Sequence, residues 1–316
     1  MALLSTPIIV HVVRALAEGP RALVELRRRA GLPPQTTMRG HIRALERMGV
    51  VARRRQAGFP GALDFELASP GRALVDVAES LGDWLSANPE GEIGLGTPAA
   101  KSAVKALVEG WDTNVLRALA AKPLSLTELD SLILGISYPS LERRLGAMRL
   151  AGLVEKVAPR TSRTPYAVTG WLRGAAAPLA AAIRWEQKHL SDLASPITRQ
   201  DVEAGFLLAV PLLRLPSGLS GSCRMAVELR NGGGRGLAGV AVEVEDGRVK
   251  QCVARLEGRS EGWACGTASA WLAAVLDGDL HGLELGGDCH VVNELLDRLH
   301  ARPARPAERA VSELAS

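Results

Sequence analysis

The residues with the most chemistry to offer fall in one short run, QTTMRGHIRALERMGVVARRR (35–55). Met38, Ile42 and Leu45 recur at i, i+4 and i+7, which makes one apolar stripe on a helix. With that stripe inward, Thr36, Gly40, Arg43 and Arg47 point outward, Arg39 lies on the flank, and Thr37 completes the first turn. These residue types suit a nucleic-acid groove. Arginine can pair bidentately with guanine, threonine can meet a phosphate or a thymine methyl, and glycine permits close backbone approach. Arg53, Arg54 and Arg55 follow at the base of a strand pair, where they can bind phosphates.

The helices that must hold such a reader are written twice. VVRALAEGPRALVEL (12–26) returns as VLRALAAKPLSLTEL (115–129), and an offset of 103 aligns Val12–Val51 with Val115–Val154 without a gap. Twelve of those forty pairs are identical, enough to read a duplicated domain rather than a solenoid array. Beyond a two-residue deletion the offset becomes 101, pairing Phe65 with Tyr166 and Trp84 with Trp185.

Each copy has one grammar. A helix (Ile8–Ala17; Thr113–Ala121) stops before Pro20 or Pro123, and a short second helix follows (Leu23–Ala30; Leu126–Leu134). The third helix (Gln35–Met48; Pro139–Leu150) ends at Gly49 or Gly152, the expected C-terminal glycine. Two short strands around a turn come next (50–67; 153–168), and a last helix closes the unit (Gly71–Ser86; Leu172–Leu190). This order predicts a winged helix-turn-helix, whose third helix enters the major groove while the hairpin wing touches the backbone or minor groove.

In the second copy the outward positions are Pro139, Arg143, Gly146 and Leu150, with Glu142 where the first has Arg39. A carboxylate near phosphates is repulsive, although glutamate can accept from cytosine N4. Ser140, Arg143, Arg144 and the wing residues Arg160 and Arg163 are the candidate contacts there. Both copies are expected to bind, but unequally.

Charge divides the chain in the same sense. Residues 1–55 carry +8 from eleven Arg and three Glu, residues 111–190 carry +5, and residues 201–300 carry −5. A basic front and an acidic back point to a polyanion at the front and something else behind. Apolar residues at 47% and charged residues at 23% describe a globular chain. Aromatics at 3% are too few for rows of base-stacking platforms, which disfavours single-stranded nucleic acid.

Enzyme chemistry finds no foothold. The chain has no GxGxxG, P-loop, HExxH or GxSxG, and His281, His290 and His300 lack a partner at a recognisable catalytic spacing. No catalytic residue, cofactor or metal site is expected. Cys223, Cys252, Cys265 and Cys289 show no CxxC spacing and read as reduced, mostly buried thiols of a cytoplasmic protein. The start lacks a basic n-region, and GFLLAVPLLRLPSGL (205–219) is broken by Pro211 and Arg214, so neither an export signal nor a membrane span is expected.

WDTNVLRALAAKPLSLTELDSLILGISYPSLERRLGAMRLAGLVEK (111–156) resembles the HxlR-type, MarR-like winged-helix regulators. The carrying features are the opening Trp, L-x-E-L, G-I-S and R-R-L…L-x-x-x-G-L-V. The first copy is similar through ELRRRAGLPPQTTMRGHIRALERMGVV and ELASPGRAL, so the resemblance covers roughly residues 7–190. It implies a transcriptional regulator of double-stranded DNA, a family that usually works as homodimers with recognition helices about 34 Å apart. Here one chain could supply both helices, as a monomer with a pseudo-two-fold reading pair, or it could pair further as a homodimer.

Residues 201–300 change texture. MAVELRN, GVAVEVEDGRV and KQCVARLEG alternate apolar residues around Asn-Gly and Asp-Gly turns, as antiparallel strands do. Thr267 can cap a helix through Leu276, LELGGD gives another strand, and HVVNELLDRLH (290–300) is an amphipathic closing helix. V-x-V-E-D-G-R-V, G-T-A-x-A-W-L, D-G-D-L and G-D…LLDRLH are similar to the sterol carrier protein-like lipid-binding fold. That resemblance implies an apolar or amphipathic small-molecule effector, with Phe206, Leu208, Leu212, Trp271, Leu272 and Val275 as candidate lining or as plain core.

The expected architecture is therefore multidomain. Two mainly-α winged helix-turn-helix domains (1–86 and 99–190), joined by a linker (87–98), precede an α+β sterol carrier-like domain (201–300) and a tail (301–316). The expected function is a DNA-binding regulator with a small-molecule-sensing C-terminal domain and no membrane attachment. A tandem winged-helix protein-docking module, as in chromosome-organising accessory proteins, and a lipid-binding carrier are the open alternatives.

Overall fold

The computed structural model describes residues 2–55, 63–108, 115–116, 118–120, 122–132, 136–157, 164–190, 196–231 and 234–301. The chain divides into two compact units, Met1–Leu119 with Pro123–Ser195 and Ala120–Lys122 with Pro196–Ser316. No helix among the described residues is long and apolar enough to cross a membrane.

The first unit opens with a 3-10 turn (Ala2–Ser5) and α1 (Pro7–Ala17), which buries Ile9, Val10, Val12, Val13 and Leu16. A two-residue strand β1 (Arg21–Ala22) leads into α2 (Leu23–Arg29) and then α3 (Gln35–Arg47). Strands β2 (Val51–Arg55) and β3 (Leu63–Leu67) form the wing, and β1 adds to the free edge of β3, giving the order β1-β3-β2. Helix α4 (Ser69–Ser86) closes this half. Its start presses on the wing so closely that a Cβ at Gly71 would sit 2.1 Å from the Val50 carbonyl oxygen.

The segment 87–98 does not hang between elements. Leu95 is buried, Ile93 N–H donates to the Leu85 carbonyl, and Arg14 Nη1 donates to the Leu95 carbonyl at 3.2 Å. Helix α5 (Pro98–Val108), which lies within the span expected for the second winged domain, follows at once.

The rest of this unit repeats the earlier plan. Residues 115–116 and 118–120 are helical, then come α6 (Leu126–Leu132), α7 (Tyr138–Leu150), β4 (Val154–Lys156) and β5 (Tyr166–Val168). Ser125 and Glu128 form the reciprocal bonds of a capping box at the start of α6. Leu124 bridges Tyr166 as Arg21 pairs with Phe65, and Val154 faces Val168 as Val51 faces Leu67. Both third helices end in the same six-to-one closure: Gly49 (φ 67°) and Gly152 (φ 70°) take the left-handed position, and the next N–H reaches back to Leu45 or Met148.

One element departs from expectation. The single closing helix expected over 172–190 is two, α8 (Gly170–Arg173) and α9 (Ala176–His189). Pro178 has no N–H to give the Gly174 carbonyl, so helical bonding cannot run through. A Cβ at Gly174 would also lie 3.1 Å from the Trp171 carbonyl oxygen and 3.5 Å from the Trp84 ring.

Within this unit α4 packs against α9. Trp84 Nε1 donates to the carbonyl of Trp171 at 2.8 Å, and Trp185 Nε1 donates to the carbonyl of Pro70 at 2.8 Å. The offset that pairs Trp84 with Trp185 also pairs Pro70 with Trp171, so the two bonds are images of each other. Trp171 Nε1 returns a third bond to the Trp84 carbonyl, and the two indoles stack at 4.6 Å with planes 6° apart.

The second unit is α+β. After α10 (Arg199–Ala209), capped reciprocally by Thr198 and Asp201, come a 3-10 turn (Val210–Leu212) and strands β6 (Gly221–Asn231), β7 (Gly234–Glu245) and β8 (Arg248–Val253). Then come β9 (Gly262–Thr267), α11 (Ala268–Asp277), β10 (Leu283–Gly287) and α12 (His290–Ala301). The sheet order is β10-β9-β6-β7-β8, with β9 parallel to β6 and the other pairs antiparallel. Strand β9 was not anticipated: its Gly262 and Gly266 weaken the alternation that marks a strand. Cys223, Met225, Val227, Ala238, Val240 and Val242 make one buried face of the sheet. All four cysteines are free thiols, and burial pushes Cys223 up to about 12.

Candidate nucleic-acid interface

Helix α3 is positioned by its stripe. Met38, Ile42 and Leu45 are buried, and truncating Ile42 to alanine would cost about 2–5 kcal/mol. The opposite face is what that burial leaves over. Thr36, Thr37, Arg39, Gly40, Arg43 and Arg47 are all exposed, as are Arg53, Arg54 and Arg55 on β2.

The arginines are not equivalent. Arg53 forks Glu46, with Nε 2.5 Å from Oε1 and Nη2 3.1 Å from Oε2. That carboxylate raises the proton affinity of Arg53 through its hydrogen bond first and its charge second. Arg54 lies 3.6 Å from Glu66, a looser pair across the wing. Arg39, Arg43, Arg47 and Arg55 form no ion pair among the described residues, so four guanidinium groups are available to a polyanion. In α2, Arg27 donates Nε to the Pro33 carbonyl at 2.7 Å and braces the turn ahead of α3, while Arg21 and Arg29 converge on Glu18. The Arg29 hydrogen bond is the largest of the influences that hold the Glu18 carboxyl below its ordinary value.

Helix α7 is set by an equivalent stripe, Leu141, Leu145 and Met148, but offers different chemistry outward. Glu142 and Arg143 are exposed, whereas Ser140 and Arg144 are half-buried and Ser140 Oγ accepts from Ser137 Oγ at 3.0 Å. Gly146 is half-buried while Ala147 is exposed, so this helix presents a slightly rotated face compared with the expected one. Leu150 is 80% exposed where the first half has Arg47. Arg160 and Arg163 lie outside the described residues.

Residues 8–92 match the family model described as HxlR-like helix-turn-helix. The match takes in α1 through α4 and every first-copy candidate contact, and it supports a DNA-binding transcriptional regulator. Among solved structures, the reduced form of the transcriptional regulator YodB from B. subtilis is similar at 22% identity. The similarity covers 25% of this chain and 78% of that one, with a TM-score of 0.24. No curated protein matches.

Sequence reasoning missed the Glu46–Arg53 fork. Its signal was present: Glu46 is the sole carboxylate between Gln35 and Arg55, seven residues before an arginine and across a glycine turn.

In the second unit, Phe206, Leu208 and Trp271 are buried, and Leu212, Leu272 and Val275 are half-buried. Phe206 and Trp271 meet edge to face at 4.9 Å, and Trp271 Nε1 donates to the Ala226 carbonyl at 2.7 Å. A groove of about 400 Å³ lies elsewhere on this sheet, lined in part by Ser222, Glu243, Gln251, Arg259 and Glu261, and it includes none of the six expected residues. His281 does have a carboxylate neighbour: Nδ1 lies 2.7 Å from Asp279 Oδ1, on a side chain 99% exposed. Such exposure suits a surface turn better than proton transfer.

Proposed function

We propose that this chain is a transcriptional regulator of double-stranded DNA whose two helical halves, 1–86 and 99–190, act as a single-chain pseudo-dimer. The observation that carries the reading is the pair of mirrored tryptophan bonds, Trp84 to the residue-171 carbonyl and Trp185 to the residue-70 carbonyl. A two-fold interface is self-complementary, so each contact recurs with partners exchanged. The duplicated capping glycines and strand registers support the same view.

The reading hands are unequal. Thr36, Thr37, Arg39, Gly40, Arg43 and Arg47 would read bases, with Arg54 and Arg55 on phosphates; Ser140, Arg143 and Arg144 are the described counterparts. Selection of binding sites from random duplexes, with mass determination of the complex, tests this. One chain on an imperfect palindrome is expected, and a symmetric palindrome requiring two chains would sink it.

Residues 201–300 are proposed as a sterol carrier-like sensor of an apolar or amphipathic small molecule. The buried sheet face and the apolar set around Trp271 support that reading. A ligand there would have to part the Phe206–Trp271 contact, and it would regulate only by preferring one arrangement of the chain. Native mass spectrometry should reveal a co-purified ligand; consistently bare protein would count against a sensor. A docking role for the second half is the rival reading, favoured by exposed Leu150 and Glu142.

A further inference from the structure

We infer that Glu46 is a positioning residue, whose fork with Arg53 locks the first wing to the first reading helix, and that the second half has no such lock among its described residues. The inference rests on the DNA-reading proposal above. A carboxylate on a reading helix opposes phosphates, so its presence there calls for a reason. Glu46 is the only acidic residue in α3, and its side chain is 19% exposed, tucked toward β2 rather than outward with Arg43 and Arg47. Both its oxygens accept from Arg53. Such a planar two-bond fork fixes direction as well as distance. Arg53 is itself held in register opposite Phe65, a buried ring of the wing. Helix, Gly49 turn, strand and ion pair thus close a small ring through which wing and reader share one geometry.

Strand register identifies the counterparts without ambiguity. Lys156 faces Tyr166 as Arg53 faces Phe65, and the same offset takes Glu46 to Arg149. Arg149 and Lys156 are both exposed and both cationic, so no bridge can form between them. Lys156 instead lies 5.8 Å above the Tyr166 ring. The first half therefore carries the larger share of the sequence discrimination, and Arg53 is withdrawn from the phosphate contacts to secure it.

Plain electrostatics and a positioning role predict opposite outcomes for Glu46→Gln. Removing a negative charge beside DNA should tighten binding to every duplex alike. Loss of the lock should instead weaken binding to the selected site while leaving random duplex bound as well or better. The experiment is anisotropy titration of the full chain on its selected site and on a scrambled duplex at several salt concentrations. The expected result is a drop of about tenfold in the ratio of the two affinities, restored by the charge-swapped pair Glu46→Arg with Arg53→Glu. Thermal unfolding of each variant confirms that it is folded. An unchanged ratio, or a swapped pair that does not recover it, would overturn the lock. A parent chain that binds both duplexes equally would overturn the DNA reading itself.

Discussion

The two halves of the first unit close their third helices with the same glycine geometry and join their wings in the same register, yet little of the outward chemistry is shared. Arg39, Arg43 and Arg47 in one half stand where the other has Glu142, Gly146 and Leu150. Arg143 replaces Gly40, so the second helix keeps one exposed cation near its middle. A buried stripe tolerates few changes because each costs packing energy, whereas an outward face answers only to its partner. The buried stripes and turn geometry thus match between the halves, while the exposed faces of their third helices do not.

The largest effect should come from the contact that joins the halves. Trp84→Ala removes a buried indole, its stack on Trp171 and one of the mirrored bonds, and should cost about 3–5 kcal/mol in denaturant unfolding. Hydrogen exchange that opens residues 1–86 and 99–190 at different denaturant concentrations would show instead that the halves are independent bodies. Next comes the comparison of readers. Arg43→Ala should lose about 1–3 kcal/mol on the selected DNA site and relax the base preference beneath it. Arg143→Ala should cost less on that site and relax its base preference less; if it relaxes a base preference equally, the hands are equal after all.

A smaller difference separates neighbouring arginines of the first wing. Arg55→Ala should reduce the slope of log affinity against log salt by about 1, as loss of one phosphate contact does. Arg53→Ala should leave that slope nearly as it was, because its guanidinium already serves Glu46. The smallest change is expected from Leu150→Arg, which lends the second half the charge of Arg47. It should tighten binding modestly at low salt and lose that gain as salt rises.

Much of the first unit was legible in the residues. The apolar spacing of α3 and α7, the glycines that end them and the duplicated offset all act locally, through helical period and backbone conformation. Less local features were not legible. Strand β1 is two residues long and exists only because β3 offers a free edge. The break between α8 and α9 depends on Pro178 together with the approach of Trp84 to Gly174. In the second unit, β9 finds its place between β6 and β10 through long-range pairing that its glycines do not advertise.

The candidate site divides in the same way. The residues alone tell which positions recur at a fixed offset, which face of each third helix is apolar, and hence that Arg39, Arg43 and Arg47 point away from the core. Those follow from composition and a fixed helical rise. Which arginines are free depends on packing across the chain. Arg53 and Arg55 are alike in sequence and lie on the same strand, but one meets Glu46 across the Gly49 turn and the other meets no carboxylate among the described residues. Tertiary structure also turned a repeated tryptophan into a two-fold contact, because only packing could bring Trp84 to the residue-171 carbonyl and Trp185 to its image at residue 70.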